Sequence, residues 1–381
     1  MEYRRLGKTE LMVSEIGFGG EWLDGKTFDE GRAIADKCME CGINIVDCWM
    51  SDPEVRSNLG NALAGRRDKW YIQGHIGSTW QKGQYKRTRD LAQVKPAFED
   101  LLERLGTDYV DLGMIHYVDD FDDLDKVLHT EFMDYVKELK DSGKIRHIGM
   151  STHNPLVAAE AVKSGVVEMI MFSINPAFDL MPPTDNVDKY FEEGSYSDLA
   201  GNIAPERAEL YKLCELNDVG ITVMKGFAGG RLFDEKLSPF GVAFTPVQCL
   251  HYCLTRPAVA AVMAGFKSPE EVEGCVAYET ASDKEKEYER VLAKAPHHAF
   301  TGQCTYCGHC APCPMDIDIA TVCKFHDLAL MQPEVPASVR EHYKALKHPA
   351  DECYACRMCH DRCPFHVDIV KIMKKCKLIF K

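Results

Sequence analysis

The sequence predicts an α/β protein: a (β/α)8 TIM barrel followed by a small C-terminal domain built around clustered cysteines. Three observations predict this. Short β-rich runs alternate with longer amphipathic stretches across the first 300 residues. Eight such runs are countable, the number that closes a parallel barrel. Ten of the 17 cysteines crowd into the last 81 residues, eight of them in two tight groups.

Taken in order, the strand runs are "SEIGFGG", "INIVDCW", "KWYIQGHIG", "YVDLGMIH", "IRHIGMS", "VEMIMFSIN", "VGITVMK" and "AVAAVMAG". Their near-continuous apolar character suits strands buried on both faces. Between them lie helical patterns. "VKPAFEDLLERLG" places apolar residues three and four apart and ends on a glycine, and "PERAELYKLCELNDVG" repeats the pattern. "APHHAFTG", residues 295 to 302, has no periodicity, so the barrel is expected over 1–295 and the second domain over 300–381. Catalytic groups are expected at the C-terminal ends of the barrel strands.

Length and composition agree with a large buried core: 381 residues, 45% hydrophobic and 27% charged. The net charge of -14 disfavours nucleic acid or an anionic membrane as partner and favours small molecules. The N-terminus "MEYRRLGKTELMVSEIG" lacks a secretory pattern and runs such as "PAVAAVMAGF" fall short of a membrane span, so the expected location is cytoplasmic. In that setting clustered cysteines read as metal ligands rather than disulfides.

The first group is Cys304, Cys307, Cys310 and Cys313, followed by Pro314; the second is Cys353, Cys356, Cys359 and Cys363, followed by Pro364. Their tails, "CPMDIDI" and "CPFHVDIV", align through the Asp and read as an internal duplication. The runs resemble the bacterial ferredoxin pattern, in which three thiolates bind one [4Fe-4S] cube and the fourth Cys reaches the other; the first run is one residue shorter than the common form. That resemblance implies one cluster on Cys304, Cys307, Cys310 and Cys363, and a second on Cys353, Cys356, Cys359 and Cys313. A pair of four-thiolate zinc sites is the alternative. Cys323 and Cys376 read as buried thiols.

Several strand ends, "GINIVDCW", "YVDLGMIH", "IGMSTHN", "MKGFAGGRL" and "AGFKSPEEVE", together resemble the aldo-keto reductases, over roughly residues 1 to 280. The whole chain resembles the subgroup of that family with a C-terminal two-cluster ferredoxin-type domain. The family reduces carbonyls with nicotinamide hydride, helped by Asp, Tyr, Lys and His. The Asp maps onto Asp47 and the His onto His116. The Tyr position is Asp52 and the Lys position His75. Without phenol and ammonium the usual proton route is absent. Candidate donors are His75, His116, and one of Asp47 and Asp52, with Tyr85 in the loop "STWQKGQYKRTRD" able to swing in. A second reading gives His75, His116 and a carboxylate to a mononuclear metal; a third leaves these residues to packing or an inactive pocket.

The resemblance also implies nicotinamide contacts at Ser151 and Asn175, with Met171 where many relatives have Gln, and phosphate contacts at Lys267 and Ser268. Ser268 stands as an N-cap with Pro269 at the first helical position and Glu271 at the capping-box position. Glu273 replaces the family's arginine and favours NAD(H) over the 2′-phosphorylated form. Gly226, Gly229 and Gly230 suit close approach to a pyrophosphate or a flexible turn. Arg56, Lys86, Arg87 and Arg89 read as anion contacts or a solvated loop, Trp22 and Trp49 as substrate walls or packing, and "IVKIMKKCKLIFK" as a covering helix or a dock for an acidic carrier. The leading expectation is an iron-sulfur oxidoreductase acting on a small organic substrate, with NAD(H) as candidate cofactor and a ferredoxin or flavodoxin as candidate electron partner. The alternatives are a lyase, dehydratase or isomerase with structural clusters, and a redox-sensing scaffold.

Overall fold

The computed structural model describes residues 1–181, 183–188, 203–294, 302, 304, 306, 308, 310–330, 334–363 and 365–381. Eight parallel strands close into a barrel: β1 (Ile16–Gly19), β2 (Ile45–Cys48), β3 (Tyr71–Ile76), β4 (Val110–Ile115), β5 (Ile145–Thr152), β6 (Met169–Ser173), β7 (Gly220–Met224) and β8 (Val259–Gly265). Each pairs with its neighbours in chain order, and β8 returns to β1. The β4 strand is buried throughout, and its sequence is apolar except for Asp111, which pairs with Arg67 and Arg146.

The helices of the outer ring are α1 (Phe28–Glu40), α2 (Pro53–Leu63), α3 (Leu91–Leu105), α4 (Phe121–His129), α5 (Glu131–Asp141), α6 (Pro155–Lys163), α7 (Pro205–Leu216), α8 (Pro246–Leu254) and α9 (Pro269–Val276). Local chemistry sets their ends. Thr27 and Glu30 form a capping box at α1, and Gly106 ends α3 with a φ of 63°, where a side chain would be strained. Helices and strands share one apolar layer, while Ile45, Leu112, Met114, Met169, Met171 and Met263 fill the barrel interior. The N-terminal hairpin, Tyr3–Arg5 with Met12–Ser14, adds Leu6 and Val13 to that inner cluster. It plugs the end where the strands start and leaves the opposite end open.

The loop after β3 is a hairpin, Ser78–Gln81 paired with Gln84–Arg87, rather than the unstructured polar segment its composition suggests. Lys82 and Gly83 turn it with φ values of 52° and 75°, both left-handed, as a two-residue turn requires. Beyond β8 come α10 (Asp283–Lys286), α11 (Glu289–Lys294), α12 (Ile319–Leu330), α13 (Ala337–Lys344), α14 (Met358–Arg362) and α15 (Ile369–Ile379). The expected boundary at 295–302 lies outside the described residues except for Gly302. The α15 helix buries Ile369, Val370, Met373 and Cys376, and the Cys376 thiol reaches the Val322 carbonyl on α12, so the basic tail is a covering helix. The α12 helix meets the barrel at α7, where Lys212 lies 3.6 Å from Asp327 and Lys324 pairs with Glu215.

Candidate active site

The open end of the barrel holds a pocket of about 200 Å³ lined by residues from successive strand ends, among them Asp47, Trp49, His75, His116, Ser151 and His153. Tyr85 reaches it from the hairpin and Lys225 from the end of β7. Met171, Met224 and Met263 supply an apolar wall.

Asp47 and His75 face each other because β2 and β3 run in register there, Asp47 opposite Gln73. One Asp47 oxygen accepts from Gln73 Nε2 at 2.8 Å and from His75 Nε2 at 3.0 Å. His75 Nδ1 lies 2.8 Å from His116 Nδ1, and His116 Nε2 lies 2.7 Å from the Tyr85 hydroxyl. These contacts join Asp47, His75, His116 and Tyr85 into one hydrogen-bonded chain. Trp49 stacks on His116 with rings 5.8 Å apart, and its indole N–H donates to Glu21. Burial, helped by His75 and by the Arg89 and Arg87 guanidiniums, holds the His116 imidazole well below the usual histidine range. Burial likewise raises the Tyr85 hydroxyl, against the pull of Arg87 and Arg89.

Asp52 does not join this group. It caps α2, its carboxylate accepting the N–H groups of Glu54 and Val55, because it precedes Pro53 at the first helical position. The mononuclear-metal reading also fails on geometry: both ring nitrogens of His75 and of His116 are engaged along the chain, and no three His, Cys, Asp or Glu side chains converge on a single-ion position among the described residues. Arg56 is buried and tied to Asp100 and the Ala97 carbonyl, away from the pocket. Arg87 and Arg89 pair with Asp123, so they fasten the hairpin rather than present charge to a substrate. Trp22 stands outside the pocket under the Lys267 ammonium, while Trp49 is a pocket wall.

The nucleotide candidates divide. Ser151 lines the pocket and accepts the Tyr117 N–H. Asn175 does not offer its amide there: it donates to the Lys225 carbonyl and accepts from Ala177 and Phe178. Gly229 and Gly230 adopt left-handed φ values of 65° and 86°, and a Cβ at Gly230 would meet nothing within 4 Å, so this turn is open. Gly226 serves packing, since a Cβ there would lie 2.9 Å from Val262. Ser268 is the α9 N-cap without a side-chain capping bond, and Glu271 accepts the Lys267 N–H instead of closing a capping box. Glu273 pairs with Lys37 at 3.0 Å. Of the nucleotide candidates, Ser151 is therefore at the pocket, and at the start of α9 the Lys267 N–H is taken by the Glu271 carboxylate.

In the C-terminal region, Cys304, Cys310 and Cys363 line one apolar cavity with Phe365, Val367 and Ile369. The Cys310 thiol, raised to about 12 by burial, also feels Cys304, Cys363 and Cys359. Cys359, raised by burial, feels Cys353, Cys356 and Cys313. Cys363 is thus brought to the first run. Cys307 lies outside the described residues. Cys323, expected as a plain buried thiol, is buried and lines the same cavity. All described cysteines are unpaired thiols. Among the described residues no helix is long and apolar enough to cross a membrane.

His153 is a site residue that the sequence reading passes over. Its Nδ1 lies 2.9 Å from Asp119, and burial of Asp119 is outweighed by His153, so the carboxyl stays below its usual range. The signal was within reach, because His153 follows Ser151 by two positions at the end of β5.

Residues 15–244 match the model of the aldo/keto reductase family. The chain is 28% identical over 283 residues to the uncharacterized oxidoreductase YqkF of Bacillus subtilis, covering 71% of this chain and 89% of that protein. It is 31% identical over 202 residues to L-galactose dehydrogenase of Arabidopsis thaliana, covering 48% and 61%. Among solved structures, the holo form of aldo-keto reductase AKR11C1 from Bacillus halodurans superposes with a TM-score of 0.60 at 26% identity, covering 79% of this chain and 98% of that one.

Proposed function

The chain belongs to the aldo/keto reductase family and is an oxidoreductase, and on that premise we propose that it oxidises or reduces a small organic substrate, with NAD(H) as candidate hydride partner in the barrel and two [4Fe-4S] clusters as one-electron sites exchanging with a separate carrier. The observation that carries this reading is the pairing, in one chain, of a family pocket with two cysteine runs, the last cysteine of the second run lining a cavity with Cys304 and Cys310 of the first. A four-iron cube spreads its thiolates over a multi-atom core, so this grouping is what such a cluster needs. Cys304, Cys307, Cys310 and Cys363 would hold one cube, and Cys353, Cys356, Cys359 and Cys313 the other. Ser151 and the Gly229–Gly230 turn would hold the nucleotide. When bound, the nicotinamide supplies or receives the hydride and the cubes pass electrons singly.

The chain's own residues supply the rest. Trp49 and the methionine wall exclude water, and the group of Asp47, His75, His116 and Tyr85 handles the proton on the substrate oxygen. The relatives are named as oxidoreductases, dehydrogenases and reductases, which leaves the lyase alternative without support.

The test is an anaerobic titration of the reconstituted chain with NADH and NADPH, following nucleotide binding and cluster absorbance together, alongside iron and sulfide analysis. The expected result is iron and sulfide for two cubes, with bleaching by NADH in preference to NADPH. Absence of iron-sulfur absorbance, or nucleotide binding that never changes it, would overturn the electron-relay reading.

A further inference from the structure

We propose that Tyr85, His116, His75 and Asp47 form a one-proton relay in which Tyr85 exchanges the proton of the substrate hydroxyl and His75 stores it, His116 passing it on by changing tautomer without taking charge. The proposal rests on the hydride-transfer reading of the same pocket. It replaces the missing Tyr and Lys with a phenol from another loop and a pair of imidazoles.

Hydrogen counting sets the two states. A carboxylate only accepts, so His75 Nε2 carries a hydrogen toward Asp47 throughout. When His75 is uncharged, its Nδ1 is an acceptor; His116 must then carry its hydrogen on Nδ1, and its bare Nε2 accepts from Tyr85. When His75 gains a proton, its Nδ1 donates to His116 Nδ1, the His116 hydrogen moves to Nε2, and that N–H donates to the Tyr85 oxygen. Tyr85 is then released to donate to the substrate. The first state accepts a proton and the second gives one.

The steps balance. In the oxidising direction the substrate C–H electron pair leaves as hydride to a nicotinamide dinucleotide, and the hydroxyl proton passes to the Tyr85 oxygen. Tyr85 hands its own proton to His116 Nε2, and the Nδ1 proton of His116 moves to His75. Reduction runs these transfers backwards. The positive charge comes to rest beside Asp47, where it forms an ion pair, rather than on His116, where burial opposes it.

Exposure falls from 37% at Tyr85 to 4% at His116, 2% at His75 and 1% at Asp47. Tyr85 is therefore the most exposed member of the relay and the point at which a proton enters from the pocket mouth. The charged and titratable groups around the relay are Glu21, Arg87, Arg89, Tyr117 after β4, Asp119, His153 after β5 and Lys225 after β7. The two guanidiniums and His153 disfavour charge on His116, and Asp47 is the carboxylate in contact with His75.

The test is a pH titration of the full-length anaerobic protein labelled with nitrogen-15 in histidine, resonances being assigned from His75→Gln and His116→Gln. As His75 becomes doubly protonated, His116 is expected to exchange its bare and protonated nitrogens while remaining neutral. A His116 that becomes doubly protonated, or keeps one tautomer while His75 titrates, overturns the relay. Turnover is measured in parallel with propan-2-ol and NAD or acetone and NADH as probe pairs, and Tyr85→Phe is expected to lower either rate by about 10²–10⁴-fold. Full activity in Tyr85→Phe overturns the role of the phenol. Failure of every nucleotide-linked reaction would count against the hydride-transfer reading, and the tautomer result would still decide the relay.

Discussion

Arg89→Lys tests whether the hairpin's anchorage positions Tyr85. The guanidinium donates to both Asp123 oxygens, at 3.0 and 2.7 Å, and to the His116 carbonyl at 2.7 Å. The side chains of Arg89 and Asp123 are 13% and 12% exposed, so solvent screens the pair little. A lysine ammonium can replace only part of this fork. Losing one charge-assisted hydrogen bond and the bidentate geometry at a nearly buried carboxylate should cost about 2–4 kcal/mol. With an m-value of about 3 kcal/mol/M, the urea midpoint of the barrel should fall by roughly 1 M. Because Arg89 grips the His116 backbone and the hairpin together, turnover should also fall about 10–100-fold, through displacement of Tyr85 rather than weaker substrate binding. The assays are urea unfolding followed by far-UV circular dichroism, and steady-state kinetics resolving kcat from KM. A variant with wild-type midpoint and kcat would refute both the anchorage and the role given to the hairpin.

Three further perturbations separate structural from chemical roles. Asp52→Ala should lower stability by about 1 kcal/mol through loss of the α2 cap and leave kcat unchanged, a result read by urea unfolding and turnover; a large fall in kcat would return Asp52 to the active site. Gly60→Ala should destabilise by about 1–3 kcal/mol despite better helix propensity, because its Cβ would lie 1.9 Å from the Arg104 carbonyl oxygen on α3, a backbone atom that moves only if the helices part. Thermal unfolding checks it. For Glu168, burial raises the carboxyl but hydrogen bonds from His147, Lys140 and the Ile148 N–H outweigh it, bringing it down to about 2. A depressed folded pKa contributes stability above the unfolded value and loses it as pH falls, here between about 4.5 and 2. Glu168→Gln should therefore flatten the acid limb of the stability-pH curve by about 1–2 kcal/mol, and an unchanged limb would disprove the pairing.

Much of the fold could be read because it is local. The eight apolar runs, the terminating Gly106 and the capping residues each depend on a few neighbouring positions, and all of those strands close the barrel. The site was readable only as far as strand ends place residues. The resemblance to the family singled out Asp47, His75 and His116, and adjacent parallel strands bring these strand ends together. Asp52 misled because gapless counting from Asp47 ignores that Pro53 opens a helix whose first N–H groups need an acceptor. The pattern "KSPEE" likewise matches a capping box that does not form, because which carboxylate takes which N–H is settled by side-chain conformation.

The sequence by itself determined the barrel and the two cysteine runs, because periodicity and spacing are properties of the chain read in line. Only the tertiary structure decided which atoms meet. It put Tyr85 on His116, 31 positions apart, and joined two imidazoles through their Nδ1 atoms. It turned the loop arginines inward onto Asp123 and paired His153 with Asp119. Each of these depends on the register between strands and on a hairpin's path over the barrel mouth, set by packing among residues distant in sequence, so no local pattern records it.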